Sequence, residues 1–243
     1  VTQQTNHHQT SQPSESRRRR LVVGITGASG ACYAQKLIEL LVAQQHEVHV
    51  VVSPLGQRLL HDELGMEGVH LHALAGVDES ASLQGKLILH NYRDVGSSIA
   101  SGSFHHDGMA VIPCSSNSLS AVATGSAQNL LHRAAHVTLK ERRKLVLVHR
   151  ETPLSLIDIR NMAQATEAGA IVCPANPGFY MLPKSIDDLV NFVVGRVMDL
   201  LGVNHDLPIR WLQDKSKTTE KIKTNQNSTA TSDSSADPIT PSA

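Results

Sequence analysis

No apolar run in this sequence approaches the ~18 residues that suggest a membrane span, and the first twenty residues hold no apolar signal-peptide core. Neither a membrane span nor secretion is expected. Charge of one sign is also missing: 22 Lys and Arg stand against 22 Asp and Glu. A net charge of zero gives no bulk attraction for nucleic acid. Cysteine is scarce. Cys32, Cys114 and Cys173 fall at unrelated spacings and make neither a disulfide framework nor a metal box. Each sits among apolar or small residues, where a buried free thiol is the ordinary state, and a reducing, cytoplasmic setting is the expectation. Cys114 stands at a helix start, which lowers a thiol pKa, but its apolar flank favours a structural role. The 14 histidines include no HExxH, and the pairs His7–His8 and His105–His106 are chain neighbours, which seldom share one metal, so no metal is expected. GxSxG, GxGxxG and GxxxxGK[ST] are all absent.

The two ends lack apolar residues. Residues 1–20 have no aliphatic residue after Val1 and finish in Arg17–Arg20, and residues 213–243 are almost wholly polar. Such segments cannot bury enough surface to offset chain entropy. They read as a disordered, solvated basic arm and a disordered polar tail. Residues 21–212 remain, roughly 190 residues, enough for one domain with a sizeable core.

What is present is a regular alternation. Leu21–Ile25, Glu47–Ser53, Met109–Pro113, Lys144–Val148 and Ala170–Cys173 read as buried strands, with Lys86–His90 as a further short one. Helical patterns cover Ala31–Ala43, Leu55–Leu64, Leu119–Ser126 and Gln128–Arg143, then run from Glu151 to Ala168 and from Ser185 to about Gly202. Gly65–Gly85 reads as loop. Strands alternating with helices imply an α/β fold: a Rossmann-like, flavodoxin-like three-layer sandwich around a mainly parallel sheet. Ligands bind such sheets beyond the carboxyl ends of the strands. The residues leaving those ends are Thr26–Ser29, Ser53, Cys114–Ser118, His149–Glu151 and Pro174–Tyr180. One site is expected from these five loops.

The first strand and its turn, LVVGITGASG, can be read in two ways. A strand, a small-residue turn and a helix start form an anion site, because free N–H groups and the helix dipole point at the turn. The same residues also make an ordinary turn with Ser29 as the helix cap. Arg150, leaving the fourth core strand, can clamp a phosphate. Tyr180, after Pro-Gly-Phe, fits a core position or a site hydroxyl. Arg196 lies in the last helix among Val193, Val194, Val197 and Met198, and an Arg on a buried side needs a phosphate or an acidic partner.

Taken together, these stretches resemble one family. GITGASGA, SGSF at 101–104, PCS at 113–115, RAA at 133–135, LKERRKLVLVHRETPL at 139–154, PGFY at 177–180 and SIDDLVNFVVGRVMDLLG at 185–202 are similar to the UbiX family of flavin prenyltransferases, over residues 21–211. The resemblance implies a Rossmann-like flavoprotein assembling as a homo-dodecamer. It implies transfer of the dimethylallyl group of dimethylallyl phosphate to N5 and C6 of reduced FMN, without metal. The product, prenylated FMN, serves UbiD-type decarboxylases, as in ubiquinone biosynthesis. By motif, Gly27, Ala28 and Ser29, Ser53, Ser115, Ser116, Asn117, Ser118 and Arg150 match flavin-binding positions. Arg133, Lys140, Tyr180 and Arg196 match groups around the allylic phosphate, and Ser29, Glu63, Glu151 and Lys140 match residues tied to the chemistry.

The chain departs from the family pattern at several points. Asn117 stands where a Lys is usual, His136 where an Asp is usual, Met181–Leu182 where His-Arg is common, and His105–His106 follow SGSF. These differences bear on substrate affinity and local packing more than on reaction type. They leave a weakened FMN-binding paralogue as an alternative. A related flavoprotein that decarboxylates cysteine is a second alternative; its PxMN loop is not matched by PANPGFYMLP.

Overall fold

The computed structural model describes residues 17–209, of which residues 17–207 belong to one compact unit. The expected arm up to residue 16 and the expected tail at 213–243 lie outside the described residues.

Six strands form one sheet: β1 (Arg20–Ile25), β2 (Glu47–Val52), β3 (Leu87–His90), β4 (Gly108–Cys114), β5 (Leu145–His149) and β6 (Ile171–Val172). Their order is β3-β2-β1-β4-β5-β6, and every neighbouring pair is parallel. The helices are α1 (Ala31–Ala43), α2 (Pro54–Leu64), α3 (Leu71–Ala75), α4 (Ser116–Thr124), α5 (Leu130–Lys140), α6 (Leu156–Glu167) and α7 (Ile186–Leu201). None of the described helices is long and apolar enough to cross a membrane.

Alternation along β1 sorts the core into two layers. Leu21, Val23 and Ile25 join Leu37 and Leu41 of α1 and Val193 and Val197 of α7 on one face. Val22 joins Met109, Val111, Leu119, Leu131 and Leu147 on the other. A strand buried on both faces reads as a continuous apolar run, as β1, β4 and β5 do. The expected three-layer α/β fold is therefore present. The sheet is built outward in two directions from β1 and β4, so the switch in strand order lies between them. That is where such sheets bind ligands.

Element boundaries differ from expectation for local reasons. β1 starts at Arg20, inside the segment expected as a solvated arm, because Arg20 forms an ion pair with Glu47 on the neighbouring strand. α6 starts at Leu156 and not near Glu151, since Ser155 and Asp158 form a capping box after Pro153. α4 starts at Ser116 with Ser115 as its cap, earlier than Leu119. α5 is shorter than Gln128–Arg143, bounded by Asn129 at its start. The stretch expected as loop at Gly65–Gly85 contains the short α3. Two of the scattered histidines are structural ties: His49 Nδ1 lies 2.7 Å from His90 Nε2, joining β2 to β3.

Candidate active site

Thr26, fully buried at the end of β1, holds the site together. Its hydroxyl donates to the Pro113 carbonyl at 2.7 Å and accepts from the Ser115 backbone N–H at 2.8 Å. One side chain thus fixes the Gly27–Ser29 turn against the Ser115–Ser118 turn, across the β1–β4 switch. Gly27 permits the close approach of the third piece: a Cβ built there would lie 2.4 Å from Leu55 Cβ, at the start of α2. Ser53 caps α2 by accepting from Gly56 N–H at 3.0 Å. Arg150 closes the ring, donating from Nε to the Ser29 carbonyl at 3.2 Å.

The N-terminus of α1 is capped, but not by Ser29. Gly30 is the N-cap, with φ 120°, and makes no side-chain cap bond. The Glu63 carboxylate from α2 accepts from Gly30 N–H at 2.9 Å and Ala31 N–H at 2.7 Å. The capping expectation for Ser29 is corrected here. Ser29 is exposed, and its backbone serves Arg150.

The Ser115–Ser118 turn also differs from a simple row of hydroxyl donors. Ser115 Oγ accepts from Ser118 N–H at 3.4 Å. Ser116 Oγ lies 3.1 Å from His149 Nε2, and Ser118 Oγ 3.1 Å from His132 Nε2. Asn117 is exposed. What the turn offers outward is the start of α4, with its unpaired N–H groups, and the Asn117 amide.

The expected phosphate-side residues fall in different places. Tyr180 is half-exposed in the 3-10 turn Phe179–Met181 and meets Phe192 edge-on at 5.7 Å between ring centroids, which rules out a core position. Arg196 is exposed on α7 and bonds Asp199 at 3.1 Å, so the expectation of a buried-side Arg is corrected. Its acidic partner is one turn on, and its charge acts on the Cys173 thiol. Glu151 is exposed and accepts from Thr152 N–H at 3.0 Å. Arg133 is exposed near the start of α5. Lys140 is not brought to the site. It ends α5, pairs with Glu141, and leads into the amino end of β5. Arg150 leaves the carboxyl end of that strand, about 13 Å along it at ~3.3 Å per residue.

Sequence reasoning missed Tyr33, His132 and Asp158; Thr26 and His149 lay within the expected loops but were given no role. Burial pushes the Tyr33 hydroxyl up, with Cys32 and Glu63 adding and Arg150 opposing. Burial likewise raises the Cys32 thiol, with Glu63 adding. Cys114 is fully buried, its thiol pushed up to about 12, which fits the structural role expected of it. Among the described residues no group of three or more His, Cys, Asp or Glu is placed to hold a metal.

A parallel sheet in the Rossmann order 3-2-1-4-5-6, with its phosphate-suited loops at the β1–β4 switch, is the architecture of a nucleotide- or flavin-binding protein. A family model for flavoproteins matches residues 9–198. The flavin prenyltransferase UbiX of Alkalihalophilus pseudofirmus is 45% identical over 202 residues, covering 82% of this chain and 98% of that protein. The crystal structure of AnUbiX (PadA1) in complex with FMN and dimethylallyl pyrophosphate superposes with a TM-score of 0.70 at 41% identity, covering 77% of this chain and 94% of that one. A dodecameric FMN-dependent UbiX-like decarboxylase from Escherichia coli O157:H7 gives a TM-score of 0.71 at 40% identity, covering 79% and 98%. The chain belongs to the UbiX family of flavin prenyltransferases.

Proposed function

We propose that this protein is a flavin prenyltransferase that joins the dimethylallyl group of dimethylallyl phosphate to N5 and C6 of reduced FMN. The observation that carries the reading is the Thr26 tie between turns 27–29 and 115–118, with Arg150 spanning back to Ser29. These turns offer backbone N–H groups at a helix start, a glycine without a Cβ, and one fixed guanidinium, which together suit a flavin phosphate. Gly27, Ala28, Ser29, Ser53, Ser115, Ser116, Asn117, Ser118 and Arg150 form the flavin site.

Reduced flavin supplies the electron-rich nucleophile, so the protein needs none of its own. The residues do the rest. Tyr180, Arg196, Arg133 and Lys140 hold the allylic phosphate and stabilise the charge that gathers on it as it leaves. Ser29, Glu63 and Glu151 handle the proton lost when the ring closes at C6. Lys140 lies toward the amino end of β5, opposite the strand ends that form this site, so in this reading a second copy supplies it. A homo-oligomer, a dodecamer by analogy with the dodecameric relative, meets that need. The domain at 21–212 does this work in a reducing, cytoplasmic compartment, a setting supported by the free thiols Cys32, Cys114 and Cys173. The product goes to a UbiD-type decarboxylase, as in ubiquinone biosynthesis.

The test is direct. Purified protein is incubated anaerobically with reduced FMN and dimethylallyl phosphate or its pyrophosphate, and the flavin is weighed by mass spectrometry. A gain of one C5 prenyl unit is expected. Bound but unchanged FMN points instead to a flavin-binding paralogue, and decarboxylation of a cysteine substrate to the other flavoprotein class; either result overturns the proposal.

A further inference from the structure

The three serine hydroxyls of the turn that opens α4 are each committed to a protein partner. Ser115 Oγ accepts from Ser118 N–H at 3.4 Å, and Ser116 Oγ lies 3.1 Å from His149 Nε2. For His132 the donor direction follows by elimination. Its Nδ1 lies 2.9 Å from Asn129 Nδ2, a pure donor, because Asn129 Oδ1 already accepts from His132 N–H at 3.0 Å. Nδ1 must accept, so Nε2 carries the hydrogen and gives it to Ser118 at 3.1 Å.

We infer that His132 and His149 are positioning residues for the flavin-binding turn: one from α5 and one from β5, each sets its Nε2 against a turn serine hydroxyl. This rests on the flavin reading of the turn. The two imidazoles hold the hydroxyls inward and leave the first N–H groups of α4 and the Asn117 amide for the ligand. Both rings are nearly fully buried, His132 7% and His149 2% exposed. Burial pushes both imidazoles down, toward the neutral form. For His132 the neighbouring His136 adds to that effect. For His149, Asp158 and Glu151 oppose it and Arg150 adds. Asp158 belongs to the α6 capping box with Ser155, and those contacts first, then the Ser116 hydroxyl, hold its carboxyl down at about 2.

The test is FMN affinity, read by quenching of flavin fluorescence with the full chain, alongside melting temperature. His149→Leu and His132→Leu each remove the ring partner of a turn serine and should raise the FMN Kd roughly tenfold, the scale of one hydrogen bond. His149→Gln and His132→Gln return an N–H near the same place and should recover affinity to within about threefold of wild type. Leu and Gln variants that bind FMN as wild type does overturn the inference. Where a Leu variant fails to fold, Ser116→Ala and Ser118→Ala decide: weakened binding supports the inference and unchanged binding overturns it. A wild type that does not bind FMN at all overturns the flavin reading and this inference with it, whereas wild-type binding with indifferent variants overturns this inference alone.

Discussion

The Glu63 carboxylate lies 2.7 Å from the backbone nitrogen of Ala31, so an acid from α2 occupies the positive end of α1. A helix that starts on glycine has no side chain of its own for this task, and Glu63 supplies it from outside. The protein's own anion therefore stands where a ligand phosphate was one of two sequence-based options. Glu63→Gln keeps a hydrogen-bond acceptor but removes the charge, and should cost about 0.3–1 kcal/mol. Glu63→Ala removes the cap and should cost about 1–2 kcal/mol. Urea unfolding measures both. If Glu63 also moves a proton in turnover, prenyl transfer by Glu63→Gln falls far more than its FMN affinity does.

Thr26 offers a sharper separation of packing from hydrogen bonding. Thr26→Val keeps the shape and strands the Ser115 N–H, while the Pro113 carbonyl still accepts from the residue-26 backbone N–H at 3.3 Å. One orphaned donor costs about 1–3 kcal/mol, so a loss of that size and weaker FMN binding are expected. Thr26→Ser keeps the hydroxyl and should lose far less of either. Equal loss in both variants would mean that the methyl, and not the hydroxyl tie, holds the two turns.

Stability should fall in acid with a defined sign. His106 is nearly fully buried, and burial pulls its pKa from 6.5 down to about 4, with Arg143 helping and the Gly108 carbonyl and Asp107 opposing. The folded state thus binds this proton less readily than the unfolded state. Stability is complete above about pH 6.5 and is lost as the pH falls toward 4. The full swing for this one group is about 3 kcal/mol. Burial lowers His46, His49, His90, His132 and His149 as well, so their effects share the sign. His106→Asn retains a donor for Gly108 and should flatten the acid limb in denaturant titrations between pH 4 and 7; an unchanged limb would remove His106 as its source.

The strands were readable because unbroken apolar runs and glycine turns are local signals. The GAS turn, Ser53, the Ser115–Ser118 turn and Arg150 could be expected in one site because all leave the carboxyl ends of parallel strands; the strand order and its switch point were not readable. Who uses each hydroxyl was not readable. Ser29 looks like a cap until Glu63, 32 residues beyond Ala31, is seen taking the Ala31 N–H. Ser116 and Ser118 look like ligand donors until His149 and His132 arrive from other elements. The side of α7 that Arg196 faces is set by rotation: Val193, Val194, Val197 and Met198 turn inward and Arg196 does not. One signal was available and unused. His149 closes an otherwise aliphatic strand, LVLVH, and a buried histidine there needs a partner.

Arg196 tests the division between flavin and allylic phosphate. It is exposed, one turn from Asp199, and bonded to that carboxylate at 3.1 Å. An exposed pair of this kind adds little to folding, so the side chain can be changed with small effect on melting. Arg196→Met should leave FMN affinity near wild type and raise the KM for dimethylallyl phosphate by roughly tenfold or more, the scale of one lost charged contact. Arg196→Lys keeps the charge but not the planar fork, and should fall between the two. Steady-state prenyl transfer at varied dimethylallyl phosphate, with FMN Kd measured in parallel, separates these outcomes. Equal loss of FMN binding in Arg196→Met would place the residue in the flavin site and undo the assignment to the phosphate.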